Sequence, residues 1–199
     1  MPSSKPWSAS VRHDLSVEGH GFQLRPAYMP DAEFIVEIRN DPDLGEFIQR
    51  GANTVTDQME WMNTYFSRVG DYLFIVERKD GTAEGIVGVY EVNKGAAEWG
   101  RWVLRRGSLA AVESALGAYR VGFELLDLER VYCRTVAANV HVVSFHDSCG
   151  LRRTNRPGLE AQIGSKRLAM VEHELTRDSW PAVRERLDRQ AFRIASRLD

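Results

Sequence analysis

The sequence predicts an α+β fold that is built on one mixed, mostly antiparallel sheet. Three strand-like runs follow one another across the turn pairs Asp80-Gly81 and Lys94-Gly95, a pattern typical of an antiparallel meander. Farther along, strand-like and helical runs alternate. This order predicts helices that pack against the same sheet. The three runs span residues 72–77, 85–92 and 97–104.

The first part of the chain predicts a lead-in followed by a strand and two helices. Residues 1–20 mix Ser, Pro, His and Gly without periodicity, so we expect a flexible lead-in outside the fold. Residues 21–199 are expected to form a single domain. A short strand at 22–24 precedes a helix capped by Asp31, and Thr56 precedes a second helix.

The second part predicts alternating helices and strands. Apolar residues recur at three- and four-residue steps from Ser108 to Leu126, which indicates a long amphipathic helix. A β-branched strand is expected at 131–136, a helix at 140–149 and a closing strand at 168–175. The signals after Thr176 are helical up to the C-terminus.

The composition excludes several functional classes. The net charge is -2, from 26 basic and 28 acidic side chains, so the chain has no overall positive field that would attract nucleic acid or an anionic membrane surface. No apolar run approaches eighteen residues, and neither Cys133 nor Cys149 has metal-ligand spacing. We expect a cytoplasmic protein that acts on a small molecule, without a metal.

The turn after the third strand is a candidate anion site. Arg105, Arg106 and Gly107 lead into a helix, whose first N–H groups and positive dipole end attract a pyrophosphate. Many ordinary helices also follow a glycine turn. For this pattern alone, an ordinary strand–helix turn without a ligand is therefore the more frequent interpretation.

A second motif identifies a family. Asn139 is followed by Val-His-Val-Val-Ser-Phe-His-Asp-Ser-Cys-Gly-Leu, ending at Leu151. This run resembles the signature of the GNAT acetyltransferase superfamily, in which Asn opens a helix that ends in glycine and a large apolar residue. The resemblance covers about residues 22–175. It implies a GNAT fold, with a V-shaped splay between two central parallel strands that are flanked by helices, and acetyl-CoA as co-substrate.

The resemblance also implies which residues bind the cofactor. The backbone of Val103 and Leu104 would pair with the pantetheine arm, and Asn139 would contact it. Leu109 stands where the family usually has a glycine that allows close backbone approach. This departure favours a rival hypothesis, a GNAT-like domain that binds CoA without catalysis. The pyrophosphate would lie against Arg105, Arg106, Gly107, Ser108, Leu109, Ala110 and Ala111.

Two side chains are candidates for proton transfer. His146 occupies the family position of the tyrosine that protonates the departing thiolate, and an imidazole can donate a proton near neutrality. Glu98 lies where several relatives place a general base, among aromatic side chains that would raise its pKa. The structural alternatives are a hydrogen-bonded core histidine and a solvated glutamate at a strand edge.

Four further residues are candidates for binding the acceptor. Aromatic walls commonly hold sugar rings, although each aromatic side chain taken alone is more often a core residue. The run Gln-Met-Glu-Trp at 58–61 resembles the helix that borders the acceptor cleft in GNAT enzymes acting on amino-sugars. The candidates are Gln58, Trp61, Tyr90 and Trp102.

Together these patterns predict direct acetyl transfer, within a ternary complex, to a primary amine. An amino-sugar or nucleotide-linked amino-sugar is the preferred acceptor. Protein N-termini and aminoglycoside-type amines are the alternatives, and a homodimer is compatible with the pattern. The two cysteines lie in buried-looking runs, which argues against a covalent acetyl-enzyme.

Overall fold

A computed structural model describes residues 13–42, 44, 47–48 and 51–198. The described strands form one sheet in the order β1-β2-β3-β4-β5-β6-β9-β7, and β8 pairs with β9 outside this path. The strands are β1 (Val17–Glu18), β2 (Phe22–Pro26), β3 (Tyr72–Arg78), β4 (Ala83–Asn93), β5 (Ala96–Leu104), β6 (Arg130–Val136), β7 (Arg152–Arg153), β8 (Glu160–Ile163) and β9 (Lys166–Thr176).

Among the described residues, five α-helices cover this sheet. They are α1 (Ala32–Arg39), α2 (Val55–Tyr65), α3 (Ala111–Arg120), α4 (Val140–Ser148) and α5 (Trp180–Ala195). In the part of the chain that the structure describes, none of the helices has the length and apolar character needed to cross a membrane.

Strand β3 shows why helices pack on both faces of the sheet. Leu73 and Ile75 belong to the core cluster that includes α1 and α2, whereas Phe74 and Val76 belong to the cluster that includes α3 and α5. Because successive side chains of a strand point to opposite faces, a continuous apolar run needs a cover on each side. The α+β prediction is confirmed, and the predicted meander agrees with β3, β4 and β5 to within two residues at each end.

The predicted splay lies between β5 and β6, the parallel pair of the sheet. Their register runs only from Ala96↔Arg130 to Glu98↔Tyr132. Beyond it β5 continues to pair with β4 on its other side, and β6 continues to pair with β9 as far as Val136↔Met170. The two facing edges are therefore left open to a ligand, as the GNAT fold requires.

The predicted flexible lead-in is wrong for residues 13–20. Val17 is buried and pairs with Leu24, and the carboxylate of Glu113 accepts hydrogen bonds from the backbone N–H groups of His20 and Gly21. The segment shows no hydrophobic periodicity, because its backbone is held by the Glu113 side chain of a distant helix. Residues 1–12 lie outside the described residues.

The long helix also differs from its prediction. It starts at Ala111 instead of Ser108, because residues 105–108 form a separate turn. It ends in one π-helical turn, Val121–Leu125. The short strands β1, β7 and β8 have no counterpart in the prediction, since two to four residues carry too little pattern.

Candidate active site

A cavity of about 610 Å³ occupies the open splay and continues towards α1 and α2. Its wall includes β5, β6, α4 and the hairpin of β8 and β9. Eight of the predicted site residues line this cavity, namely Gln58, Trp61, Tyr90, Glu98, Trp102, Val103, Asn139 and His146.

Glu98 lies at the last position of β5 that pairs with β6, where the splay begins. Its carboxylate accepts a hydrogen bond from the Tyr90 hydroxyl at 3.1 Å and forms a salt bridge with Arg134 at 2.9 Å. Burial raises the pKa of Glu98, while the positive charge of Arg134 and the Tyr90 hydrogen bond act against the rise. The carboxylate is buried and held in place, so it is not a solvated edge glutamate.

A glycine on β5 makes room for the Tyr90 hydroxyl. A Cβ atom on Gly100 would lie 2.5 Å from the Tyr90 oxygen, which is too close for any side chain. Burial raises the pKa of Tyr90 above its usual value, and the negative charge of Glu98 adds to the rise. Tyr90 therefore remains a hydrogen-bond donor to Glu98.

His146 lies in the last turn of α4, and 2% of its surface is exposed. Burial lowers its pKa to about 3, and an electrostatic interaction with His173 adds to the lowering. Its buried Nδ1 has no hydrogen-bond partner among the described residues. The ring is neutral near pH 7, so the expectation that an ordinary pKa lets it donate as a cation needs revision.

Aromatic side chains surround His146. The Trp99 ring meets it edge-on at 5.4 Å, and Trp102 packs against both Phe145 and His146. The Trp102 indole N–H donates to the Ser114 hydroxyl at 3.0 Å. Trp102 thus presents a fixed aromatic face to the cavity.

Helix α4 is oriented by its cap. The Asn139 side chain accepts a hydrogen bond from the Val142 N–H at 3.3 Å, which confirms that Asn139 opens the helix. The two free cysteines are buried, and burial raises the pKa of Cys149 to about 11 and that of Cys133 further. Neither thiol is a good nucleophile near neutrality.

The acceptor side of the cavity contains α2. Gln58 is buried, and Trp61 stacks on Tyr65 with the ring centroids 5.3 Å apart. The guanidinium groups of Arg68 and Arg101 lie over the Trp61 ring, at 5.2 and 5.6 Å from its centroid. This wall is both aromatic and positively charged.

The predicted pyrophosphate turn lies apart from this cavity. Of the cavity-lining residues that the structure describes, none falls within 104–111. The Ser108 N–H donates to the Arg105 carbonyl, closing a turn in which Gly107 has a φ of 78°. That φ favours glycine, while a Cβ on Gly107 would meet nothing within 4 Å. Leu109 is 46% exposed.

Several groups of this turn already have partners. The Arg105 N–H donates to the Glu84 carbonyl, and the Ala110 N–H donates to the Ser108 hydroxyl. The Arg105 guanidinium donates to Glu37 at 3.0 Å. The prediction that all of 105–111 bind phosphate therefore includes groups that are committed elsewhere.

Sequence reasoning missed four arginines that line the cavity. They are Arg39, Arg68, Arg101 and Arg134. A signal existed for two of them, since Arg101 and Arg134 lie within mostly apolar strands. A charged side chain in a buried strand needs a partner or a function. In the described part of the chain, no group of His, Cys, Asp and Glu has the arrangement of a metal site.

Comparisons with known proteins agree with this geometry. Residues 22–152 match the family described as acetyltransferase (GNAT) domain. The chain is similar to an apo structure of FdhC, a nucleotide-linked sugar GNAT. The identity is 25% and the TM-score 0.76, and the match covers 90% of this chain and 99% of that one.

A second similar structure is spermidine N-acetyltransferase from Vibrio cholerae in complex with CoA and spermine. It is 18% identical, with a TM-score of 0.73, over 81% of this chain and 98% of that one. Among curated proteins no match is found. The matched segment spans well over half of the 199 residues and contains both the splay and the capped helix α4. The chain therefore belongs to the GNAT acetyltransferases, which take their acetyl group from acetyl-CoA.

Proposed function

We propose that this enzyme acetylates the primary amine of an amino-sugar directly, within a ternary complex with acetyl-CoA. The observation that carries the proposal is the continuous cavity, which joins the open splay to the buried Glu98 carboxylate. A thioester that enters along the splay and an amine beside Glu98 would meet in one enclosed space.

The ammonium form of an acceptor has to lose two protons to become an amide nitrogen. Glu98 takes the first proton, which leaves a neutral amine whose electron pair attacks the thioester carbon. The raised pKa of Glu98 suits this step, because a more basic carboxylate removes the proton more readily. Tyr90 and Arg134 hold the carboxylate in position.

A backbone N–H of β5 would stabilise the charge on the thioester oxygen. The Arg105 N–H points to β4, and N–H groups two residues apart on a strand point the same way. The Val103 N–H therefore faces β4 as well, whereas the Leu104 N–H faces the splay. This alternation favours Leu104 over Val103 as the oxyanion donor.

His146 is the group that we assign to the second proton. When the C–S bond breaks, the sulfur leaves as a thiolate and the nitrogen still carries one excess proton. The neutral imidazole can accept that proton and pass it to the sulfur, which gives CoA as a free thiol. No acetyl-cysteine intermediate is needed, in keeping with the buried cysteines.

Charge supports an amino-sugar over a polyamine. The described residues that line the cavity include four arginines and one carboxylate, Glu98, while Asp71 and Glu172 pair with three of these arginines from outside the lining. Such a wall offers guanidinium donors to an acceptor that carries negative charge and few carboxylates to a multiply charged cation. The similarity to a nucleotide-linked sugar GNAT supports the same class.

Thiol release from acetyl-CoA tests this proposal. We expect turnover with a nucleotide-linked amino-sugar to exceed turnover with spermidine or an N-terminal peptide by at least tenfold in kcat/KM. Mass spectrometry of the sugar product has to show one added acetyl group on nitrogen. Preferred acetylation of spermidine would overturn the proposed acceptor class. A lack of acetyl-CoA binding would overturn the proposal that this protein acetylates an amine.

A further inference from the structure

Glu172 is a buried carboxylate on β9 that the proposed reaction does not use. Its side chain is 1% exposed, and it is not among the described residues that line the cavity. Burial alone would raise its pKa, but hydrogen bonds from Arg134 and Thr154 lower it, so the carboxylate stays charged. A buried charge is costly unless it has partners or a function.

Four donors converge on the Glu172 carboxylate. Arg130 and Arg134 reach it from β6, at 3.0 Å each. The segment after β7 adds the Thr154 hydroxyl at 3.0 Å and the Arg156 guanidinium at 3.2 Å. The carboxylate therefore has a fixed position between β6 and this segment.

Arg134 connects Glu172 to the candidate base Glu98. One terminal nitrogen of its guanidinium donates to Glu98 at 2.9 Å, and its Nε donates to Glu172 at 3.0 Å. A guanidinium that pairs with one carboxylate alone lowers the pKa of that group by about 1 to 3 pH units. Because Arg134 is shared between two carboxylates, its effect on Glu98 is smaller.

The titratable groups around Glu98 lie on β4, β6, β9 and α4. Besides burial, which has the largest influence, the negative charges of Glu91 and Glu172 raise the pKa of Glu98. Helix α4 adds His146, whose ring is neutral near pH 7 and lines the same cavity. The groups on the three strands are Tyr90, Glu91, Tyr132, Cys133, Arg134 and Glu172.

We propose that Glu172 is a positioning residue for Glu98 that acts through Arg134. This proposal rests on the proposed function, in which Glu98 takes the first proton from the amine. Glu172 fixes the guanidinium where it reaches Glu98 and takes up part of its positive charge, so Glu98 is oriented but keeps its basicity. Since Glu172 lies behind the cavity wall, it does so without contacting the acceptor.

A titration of Glu98 itself tests this role without an acceptor. The whole protein is isotopically labelled at the glutamate carboxyl carbons for NMR, and the Glu98 signal is assigned by its loss in Glu98→Gln. Glu172→Gln removes the charge but keeps an amide oxygen that can accept from Arg134. The guanidinium then acts on Glu98 alone, and the titration midpoint of Glu98 should fall by about 0.5 pH unit or more.

Two further variants fix the direction of the effect. Arg134→Gln removes the cation beside Glu98, so the midpoint should rise. Glu172→Asp keeps the charge but shortens the side chain, so the guanidinium shifts towards Glu98 and the midpoint should fall by less than in Glu172→Gln. Urea denaturation shows whether each variant folds, and Glu172→Asp decides the test if Glu172→Gln does not fold.

Glu174→Gln is the matched control. Glu174 is buried two residues farther along β9, on the same face as Glu172, and its described ion pairs are with Arg130 and Arg152. This variant removes a buried charge of the same sign without touching Arg134, so the midpoint should move less than half as far. Equal shifts in the two Gln variants would overturn the proposal, and so would an unmoved midpoint in both Glu172 variants.

Kinetics with acetyl-CoA and a nucleotide-linked amino-sugar give a second readout. Only charged Glu98 accepts a proton, so a lower midpoint moves the acid limb of kcat/KM to lower pH in Glu172→Gln. We expect kcat to fall about threefold, because the base is weaker, with the KM for acetyl-CoA unchanged. A loss of kcat with an unmoved acid limb would make Glu172 merely structural and would overturn the proposal.

The positioning role and the proposed function fail separately. If the wild type acetylates no amine but the Glu98 midpoint shifts as expected, the proposed function fails and the link from Glu172 to Glu98 stands. If it acetylates an amine in a reaction that depends on Glu98, while neither Glu172 variant moves the midpoint, the positioning role fails alone.

Discussion

The two ends of strand β5 serve the same reaction with different chemistry. At its start, Glu98 is buried and held by Tyr90 and Arg134, so the contribution there comes from side chains. Beyond its end, residues 105–111 form a largely exposed turn and the first residue of α3, where the expected contribution comes from backbone N–H groups. A side-chain site depends on the residue type at each position, whereas a backbone site depends on conformation.

This difference explains how one strand tolerates an unusual turn sequence. A leucine at 109 leaves the backbone donors in place, because every residue except proline carries an N–H. No such tolerance is expected at Glu98, since neither an amide nor a hydroxyl can accept a proton as a carboxylate does. We therefore expect substitutions at the start of β5 to change kcat and substitutions in the turn to change KM.

The largest effect is expected for Glu98→Gln. Loss of the base should lower kcat/KM about 100-fold near pH 7, and the deficit should shrink at high pH, where the amine is already neutral. In the wild type, activity should fall on the acid side above the usual glutamate range, because burial raises the pKa of Glu98 and only its charged form accepts a proton. Rates with acetyl-CoA over a pH series measure both effects.

Glu129→Gln is the control for this prediction. Glu129 is exposed just before β6, pairs with Arg177 and does not line the described cavity wall, so its loss should leave the rate unchanged. A deficit in Glu98→Gln that is the same at every pH would assign Glu98 a structural role.

His146→Phe should have the next largest effect. We expect kcat to fall at least tenfold with little change in the KM for acetyl-CoA, since the imidazole would act only as the thiolate leaves. An unchanged kcat would make His146 a core residue. The exposed His141 on the same helix provides the control His141→Phe.

The same variant tests the lowered pKa through stability. The folded-state pKa of His146, about 3, is below the unfolded value of about 6.5, so the stability it contributes is present above pH 6.5 and declines as the pH falls. Between pH 6.5 and 4.5, the wild type should lose about 2 kcal/mol more than His146→Phe in its free energy of unfolding. Urea denaturation at both pH values measures this difference.

The sequence predicted those elements whose pattern is local. The strands from Tyr72 to Leu104 carry long apolar runs between glycine turns, and helix α4 carries its own cap at Asn139. The pairing of Arg101 with Asp71 and the tethered segment before β2 could not be predicted. They depend on contacts between residues far apart in the chain, 30 residues for Arg101 with Asp71 and 93 for His20 with Glu113.

A smaller effect is expected in the turn, for Gly107→Ala. Alanine at a φ of 78° should cost about 1 kcal/mol, because a Cβ atom disfavours the left-handed region. Gly81→Ala is a matched control, since Gly81 has a φ of 90° and equally open surroundings in a hairpin outside the described cavity wall. Both variants should lose similar stability, but only Gly107→Ala should raise the KM for acetyl-CoA. Equal KM values would exclude the turn from cofactor binding.

The smallest effect is expected for Leu109→Gly, which restores the residue usual in the family. The Leu109 side chain is 46% exposed, so its removal empties no core space and changes no backbone donor. We expect the KM for acetyl-CoA to fall less than about threefold, with kcat unchanged. A tenfold fall would show that Leu109 holds the cofactor away from the N-terminus of α3, and that this turn depends on residue type as strongly as the start of β5 does.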